Sequence, residues 1–130
     1  VIRALKTIGA QKIAVGTPYI KEINDREATY MTDAGFDILS ITGLELGKDS
    51  EMIRVAPKFL FDFAISLDRP AADAIFIRCG ALRTLDVVQD IEQHLGKPVI
   101  ASNQAMIWDT LRLAGIDDRI DGYGRIFRDY

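Results

Sequence analysis

Cys79, the only cysteine of the chain, stands in Ala74-Ile75-Phe76-Ile77-Arg78-Cys79-Gly80. A thiol offers two kinds of chemistry. Protonated, with an ordinary pKa of about 8.5, it delivers a proton; deprotonated, it is a nucleophile. A plain packing role competes with both, because free cysteine is among the most buried residue types. Its place favours chemistry. The apolar run reads as a buried parallel strand. The thiol falls at the carboxyl end of that strand, where open α/β sheets hold their ligands. Thr84 is expected to cap a helix running to Leu95, whose amino end would point N–H groups and a partial positive charge at the loop.

The other chemically able residues narrow the choice. The one histidine, His94, lies beside Gly96 near a helix end, a whole helix away from the strand-end loops. A Cys-His pair or a Ser-His-Asp triad is therefore not expected within this chain. No residue set has the spacing of a metal centre. Arg78 either lowers the thiol pKa or is a solvated charge, and the second is the simpler reading. Trp108, with Leu111 three residues on, reads as packing. Gly122-Tyr123-Gly124 follows no strand and lacks a third glycine, so it is not read as a dinucleotide fingerprint.

Positioning these residues takes alternating strands and helices. A first helix ends at Gly9. Strands are expected at residues 12–16, 36–41, 74–79 and 99–101, with helices over 20–34, 58–67, 84–95 and from 102 to about 114. Gly35, Gly96 and Gly115 close helices, Pro57 suits a first helical turn, and Ser50 and Ser102-Asn103 read as caps. The fold class is α/β: a four-stranded parallel sheet with helices on both faces, like half of a flavodoxin-type architecture. Residues 1–116 form the domain, and 117–130 read as a charged, irregular or short-helical tail.

All four strand ends then share one edge. It collects Thr17 and Tyr19, Thr42 and Gly43, Cys79 and Gly80, and Ser102, Asn103 and Gln104. Hydroxyls, amides, a thiol and free backbone N–H groups suit a small anion, above all a carboxylate. Tyr19 competes with a role covering the sheet edge, and Thr17 with satisfying the turn before Pro18.

The bulk composition excludes several classes. The 130 residues are 48% hydrophobic, with a net charge of −3. That is a globular domain with a real core and no basic footprint for nucleic acid. No apolar run is long enough to span a bilayer. One cysteine forms no internal disulfide, so a reducing cytoplasm is the expected compartment. Val1 already reads as helical sequence, so the chain is expected to be part of a longer polypeptide, and a homo-oligomer stays open.

Several segments carry a family resemblance. Cys79-Gly80-Ala81-Leu82-Arg83-Thr84-Leu85-Asp86, Leu95-Gly96-Lys97-Pro98-Val99, Ser102-Asn103-Gln104-Ala105 and Leu111-Arg112-Leu113-Ala114-Gly115 resemble the second half of enzymes in the aspartate/glutamate racemase superfamily. The branch is that of arylmalonate decarboxylase, maleate cis-trans isomerase and the ectoine-utilisation proteins. Gly16-Thr17-Pro18-Tyr19 and Gly122-Tyr123-Gly124-Arg125-Ile126 resemble it too. The resemblance implies a cofactor-free enzyme with two similar α/β halves and the active site between them. It implies that Cys79 is the second-half cysteine and that Tyr19 and the Gly80 N–H hold a substrate carboxylate, with Asn103 a looser candidate. The first half is absent here. The expected activity is decarboxylation of small dicarboxylates through a cysteine-protonated enediolate. Maleate isomerisation and amino-acid racemisation are the alternatives, and a non-catalytic acid-binding module or inactive fragment is the reading of another class.

Overall fold

A computed structural model describes Val1 to Tyr130. Its four strands are β1 (Lys12–Thr17), β2 (Asp37–Gly43), β3 (Ala74–Ile77) and β4 (Val99–Ala101), all parallel, in the order β2-β1-β3-β4. The helices are α1 (Ile2–Thr7), α2 (Lys21–Asp33), α3 (Asp49–Met52), α4 (Pro57–Leu67), α5 (Val88–Leu95), α6 (Ser102–Leu113) and α7 (Arg125–Asp129). This is the expected α/β class, with helices on both faces.

Each face carries its own apolar cluster. Ile13, Val15, Ala74 and Phe76 face one side and pack with Leu5, Met31, Trp108, Ile126 and Phe127. Ala14, Ile75 and Ile77 face the other and pack with Leu60, Phe63, Leu67, Val88 and Ile91. Strands buried on both faces are continuous in apolar residues, which is why β3 is fully buried along its length. Gly96 closes α5 with φ 68°, as its position predicts.

The strand order creates the site. The chain leaves β1 for β2 on one side and returns to β3 on the other. The loops after β1 and β3 therefore adjoin at a topological switch point. Arg78 N–H donates to the Gly16 carbonyl at 2.8 Å, so the pairing runs up to the residue before Cys79.

Three expectations are corrected. The helix predicted from Thr84 is instead a 3-10 turn, Thr84–Asp86, followed by α5 from Val88. The Thr84 side chain is fully buried and its hydroxyl makes no hydrogen bond, so it caps nothing. Ser50 lies inside α3, which Lys48 precedes as its cap position. Ser102 is the first residue of α6, and the N–H of the preceding Ala101 donates to Gln104 Oε1 at 2.9 Å.

The segment after Asp117 packs against the domain. Ile126 and Phe127 are buried in the first cluster. Glu92 accepts from Val99 N–H at 2.8 Å through Oε1 and from Arg125 N–H at 2.7 Å through Oε2. One buried carboxylate thus joins β4 to the start of α7. Gln104 Nε2 donates to the Tyr123 carbonyl at 2.6 Å, and Trp108 Nε1 to that of Tyr130 at 3.4 Å. Trp108 is a packing residue, as expected, with the Arg3 and Arg112 guanidinium groups over its ring.

Candidate active site

Cys79 is buried to 8% exposure and its backbone has φ 94°. A side-chain-bearing residue rarely adopts that conformation, which costs on the order of 1–3 kcal/mol. The surroundings hold it there. Cys79 N–H donates to Ser102 Oγ at 3.1 Å, tying the loop to the start of α6. Sγ accepts from Ala81 N–H at 3.4 Å and lies 3.8 Å from the Met52 sulfur. The helix expected to start at Thr84 behind this loop begins only at Val88, after the 3-10 turn. Tyr19 packs on the same apolar cluster as Cys79.

Tyr19 is half-buried, and its phenol interacts with Cys79 across the switch point. Burial first, then the contact with the thiol, push its pKa up to about 12, while the Arg78 charge works the other way. The hydroxyl therefore stays a proton-bearing donor throughout the neutral range. Its loop is tightly specified. Thr17 Oγ1 donates to Asn24 Oδ1 at 2.5 Å and accepts from Tyr19 N–H at 3.1 Å, and Asn24 Nδ2 donates to the Tyr19 carbonyl at 3.2 Å.

Thr17, predicted to touch substrate, is thus fully buried with its hydroxyl engaged inside the loop. The turn before Pro18 takes this hydroxyl, as the second of its two readings describes. Gly43 completes the support, because a Cβ there would run into the Tyr19 carbonyl and the Asn24 amide. Gly43→Ala is expected to displace Tyr19 and reduce ligand affinity. Overpacking of this kind costs about 1–3 kcal/mol of stability. Parallel thermal melts and binding titrations check both effects.

Gly80 and Asn103 part company. Gly80 is exposed, and its N–H makes no hydrogen bond within the chain. Its backbone is not in the left-handed region, and a Cβ would meet nothing within 4 Å. Its open N–H stands beside the thiol, available to a ligand. Both ends of the Asn103 amide are engaged. Nδ2 donates to the Leu82 carbonyl at 3.1 Å and Oδ1 accepts from Gln104 N–H at 2.9 Å. Asn103 braces the cysteine loop from α6.

Two neighbours escaped sequence reading. Met52 is buried against the thiol. Glu27 is buried on α2, with Oε2 3.3 Å from Arg78 Nε. Arg78 is thus a partly buried, paired charge, which corrects the solvated reading. A signal existed for Glu27: Asn24, Glu27 and Met31 form the buried stripe of α2, so two of its inward positions are polar. An apolar cleft of about 340 Å³ lies between Leu44, Leu46, Val55, Ala56 and Phe59. Leu44, Leu46 and Val55 pack on the same cluster as Cys79 and Met52. The exposed His94 lies edge-on to Phe61, outside this site.

The sequence profile of the arylmalonate decarboxylase family matches residues 1–127. The chain belongs to that family. It is 36% identical to the arylmalonate decarboxylase of Bordetella bronchiseptica over 98% of its own length and 54% of that enzyme's. A crystal structure of arylmalonate decarboxylase superposes with a TM-score of 0.88 at 32% identity, covering 97% of this chain and 57% of that one. Nocardia farcinica maleate cis-trans isomerase, in a cysteine-to-serine variant with a covalently bound succinylcysteine intermediate, superposes with a TM-score of 0.94 at 25% identity, covering 99% and 53%. The chain spans about half the length of these relatives. No helix of this family member is long and apolar enough to cross a membrane.

Proposed function

We propose that the intact protein is a cofactor-independent decarboxylase of small, aryl-bearing dicarboxylates, in which Cys79 protonates an enediolate. The observation that carries this reading is the meeting of the Cys79 thiol, the Tyr19 phenol and the free Gly80 N–H at one switch point. Tyr19 O–H and Gly80 N–H donate to one substrate carboxylate. When the other carboxylate leaves as carbon dioxide, its bonding electron pair passes into the α-carbon and the retained carboxylate, forming the enediolate. Fixed donors stabilise that charge as it develops. The thiol then gives its proton to the α-carbon, and the resulting thiolate regains a proton from solvent. The cleft beside Leu44, Leu46 and Phe59 has room for an aryl ring. A second α/β half closes over this edge in the intact protein.

A second reading is maleate isomerisation. It is favoured by the succinylcysteine intermediate of the Nocardia farcinica relative. There a thiolate adds to the alkene, the resulting single bond rotates, and elimination restores the thiolate. The two readings separate in one assay of the intact protein with phenylmalonate and with maleate. Carbon dioxide from the first and no fumarate from the second is the expected outcome. Fumarate without carbon dioxide would replace the decarboxylase with the isomerase, and neither product would refute both.

Tyr19→Phe removes one donor and leaves the ring in place. Removing one donor to a developing oxyanion lowers kcat by roughly a hundredfold or more. Steady-state kinetics check this, with an unchanged melting temperature as the control.

A further inference from the structure

We infer that Arg78 is a second anion-binding group of this site and selects substrates that carry two carboxylates. This rests on the reading above that the Cys79 edge takes a small carboxylate. Side chains alternate along β3 and its extension. Ile75, Ile77 and Cys79 join one apolar cluster, while Ala74 and Phe76 join the other. Arg78 follows the second set and reaches Glu27 of α2. The thiol and the guanidinium therefore flank the switch point from opposite faces of the sheet. Arg78 directly precedes Cys79, and its N–H pairs with the carbonyl of Gly16, at the start of the loop that carries Tyr19, so all three stand at one sheet edge.

An arginine kept only to lock α2 onto β3 would be expected to satisfy its partner. Arg78 does not. Its Nε stands 3.3 Å from Glu27 Oε2, and both Nε and Glu27 Oε1 are buried without a hydrogen bond. The Glu27 side chain is itself nine-tenths buried, at 9% exposure. The Arg78 side chain is 35% exposed, and its terminal nitrogens are not among the buried unpaired atoms. The forked end of the guanidinium is thus the part that faces outward at the rim. A guanidinium presents five donors in a planar fork that matches a carboxylate. One offset contact with Glu27 uses little of that capacity. Glu27 sets the direction of the stem and keeps the charge at the rim.

This gives the edge two anion-binding elements: the Tyr19–Gly80 pair and the Arg78 fork. A dianion engages both, and a monoanion needs only the first. Calorimetric titration of the intact protein with malonate and with acetate tests the difference. Arg78→Gln is expected to weaken malonate binding roughly tenfold or more and acetate by no more than about twofold. Arg78→Lys should recover part of the loss. Because Arg78→Gln leaves Glu27 unpaired, the double variant Glu27→Gln/Arg78→Gln is measured beside it, with thermal melts. It should show the same selective loss in a folded protein.

Unchanged malonate affinity, or equal losses for malonate and acetate, would overturn the inference. Absence of malonate binding to the wild type would overturn it together with the dicarboxylate reading. Cys79→Ser separates the two. Turnover that survives Cys79→Ser defeats the catalytic proposal and leaves the role of Arg78 standing on the titrations.

Discussion

Cys79→Ala is expected to lower turnover by roughly a thousandfold while the protein stays folded and still binds the substrate carboxylate. The magnitude is that of losing a positioned proton donor. The backbone that carries the binding groups, Tyr19 and the Gly80 N–H, is held by several partners besides the thiol. Tyr19 is fixed by Thr17 and Asn24, and the cysteine loop by Ser102 and Asn103. The same position makes an independent statement about stability. With φ 94°, the residue holds a conformation that glycine adopts freely. Cys79→Gly relieves on the order of 1–3 kcal/mol of strain. Up to about 1 kcal/mol of that is offset by the larger conformational freedom of the unfolded glycine chain. Cys79→Gly is therefore expected to be more stable than Cys79→Ala by about 1 kcal/mol, although both are inactive. Paired denaturant titrations give the difference. A glycine variant no more stable than the alanine variant would show that the backbone is not strained there.

Glu92→Ala is expected to destabilise the fold by about 3 kcal/mol, because it strands two N–H groups, those of Val99 and Arg125. For a domain of this size the melting temperature should fall by on the order of 10 °C. The loss should reach α7 first, since Arg125 begins that helix. Glu92→Gln keeps one acceptor oxygen and should cost less. Its pH profile should also differ. Burial raises the Glu92 pKa above the ordinary 4.5, against the pull of its two N–H partners and the Arg125 charge. A carboxyl raised on folding binds more protons in the folded state. Its stabilising contribution is complete below 4.5 and is lost as the pH rises through the raised value. The wild type should lose stability over that rise in a way that Glu92→Gln does not. Denaturation midpoints across the acid range measure this.

The parts of the fold that follow local rules were legible in the sequence. Apolar runs marked the four strands, and Gly96 marked a helix end through the φ 68° it adopts. The switch point followed once the strands were taken as parallel, and it brought Tyr19 and Cys79 to the same edge. What local rules did not show shares one cause, which is packing and partners outside the residue's own turn. Thr84 has the residue type of a cap but faces a packed interior. Thr17 looks like a free hydroxyl until Asn24 is seen to take it. Asn103 looks like a free amide until the Leu82 carbonyl is placed opposite it. The tail is charged overall, yet Ile126 is fully buried, because Glu92 and Gln104 hold the backbone on either side of Gly124. The residues of the apolar cleft are ordinary loop and helix positions, and only the fold of the β2–α4 segment brings them together.

The central claim is that the thiol of Cys79 delivers a proton to one face of a carbanion formed by decarboxylation. Incubating the intact protein with methylphenylmalonate in deuterium oxide tests it most directly. The account expects carbon dioxide and a single enantiomer of the phenylpropionate product, carrying one deuterium at the α-carbon, with formation lost in Cys79→Ala. Racemic product, or the same enantiomer formed at the same rate by Cys79→Ala, would contradict it.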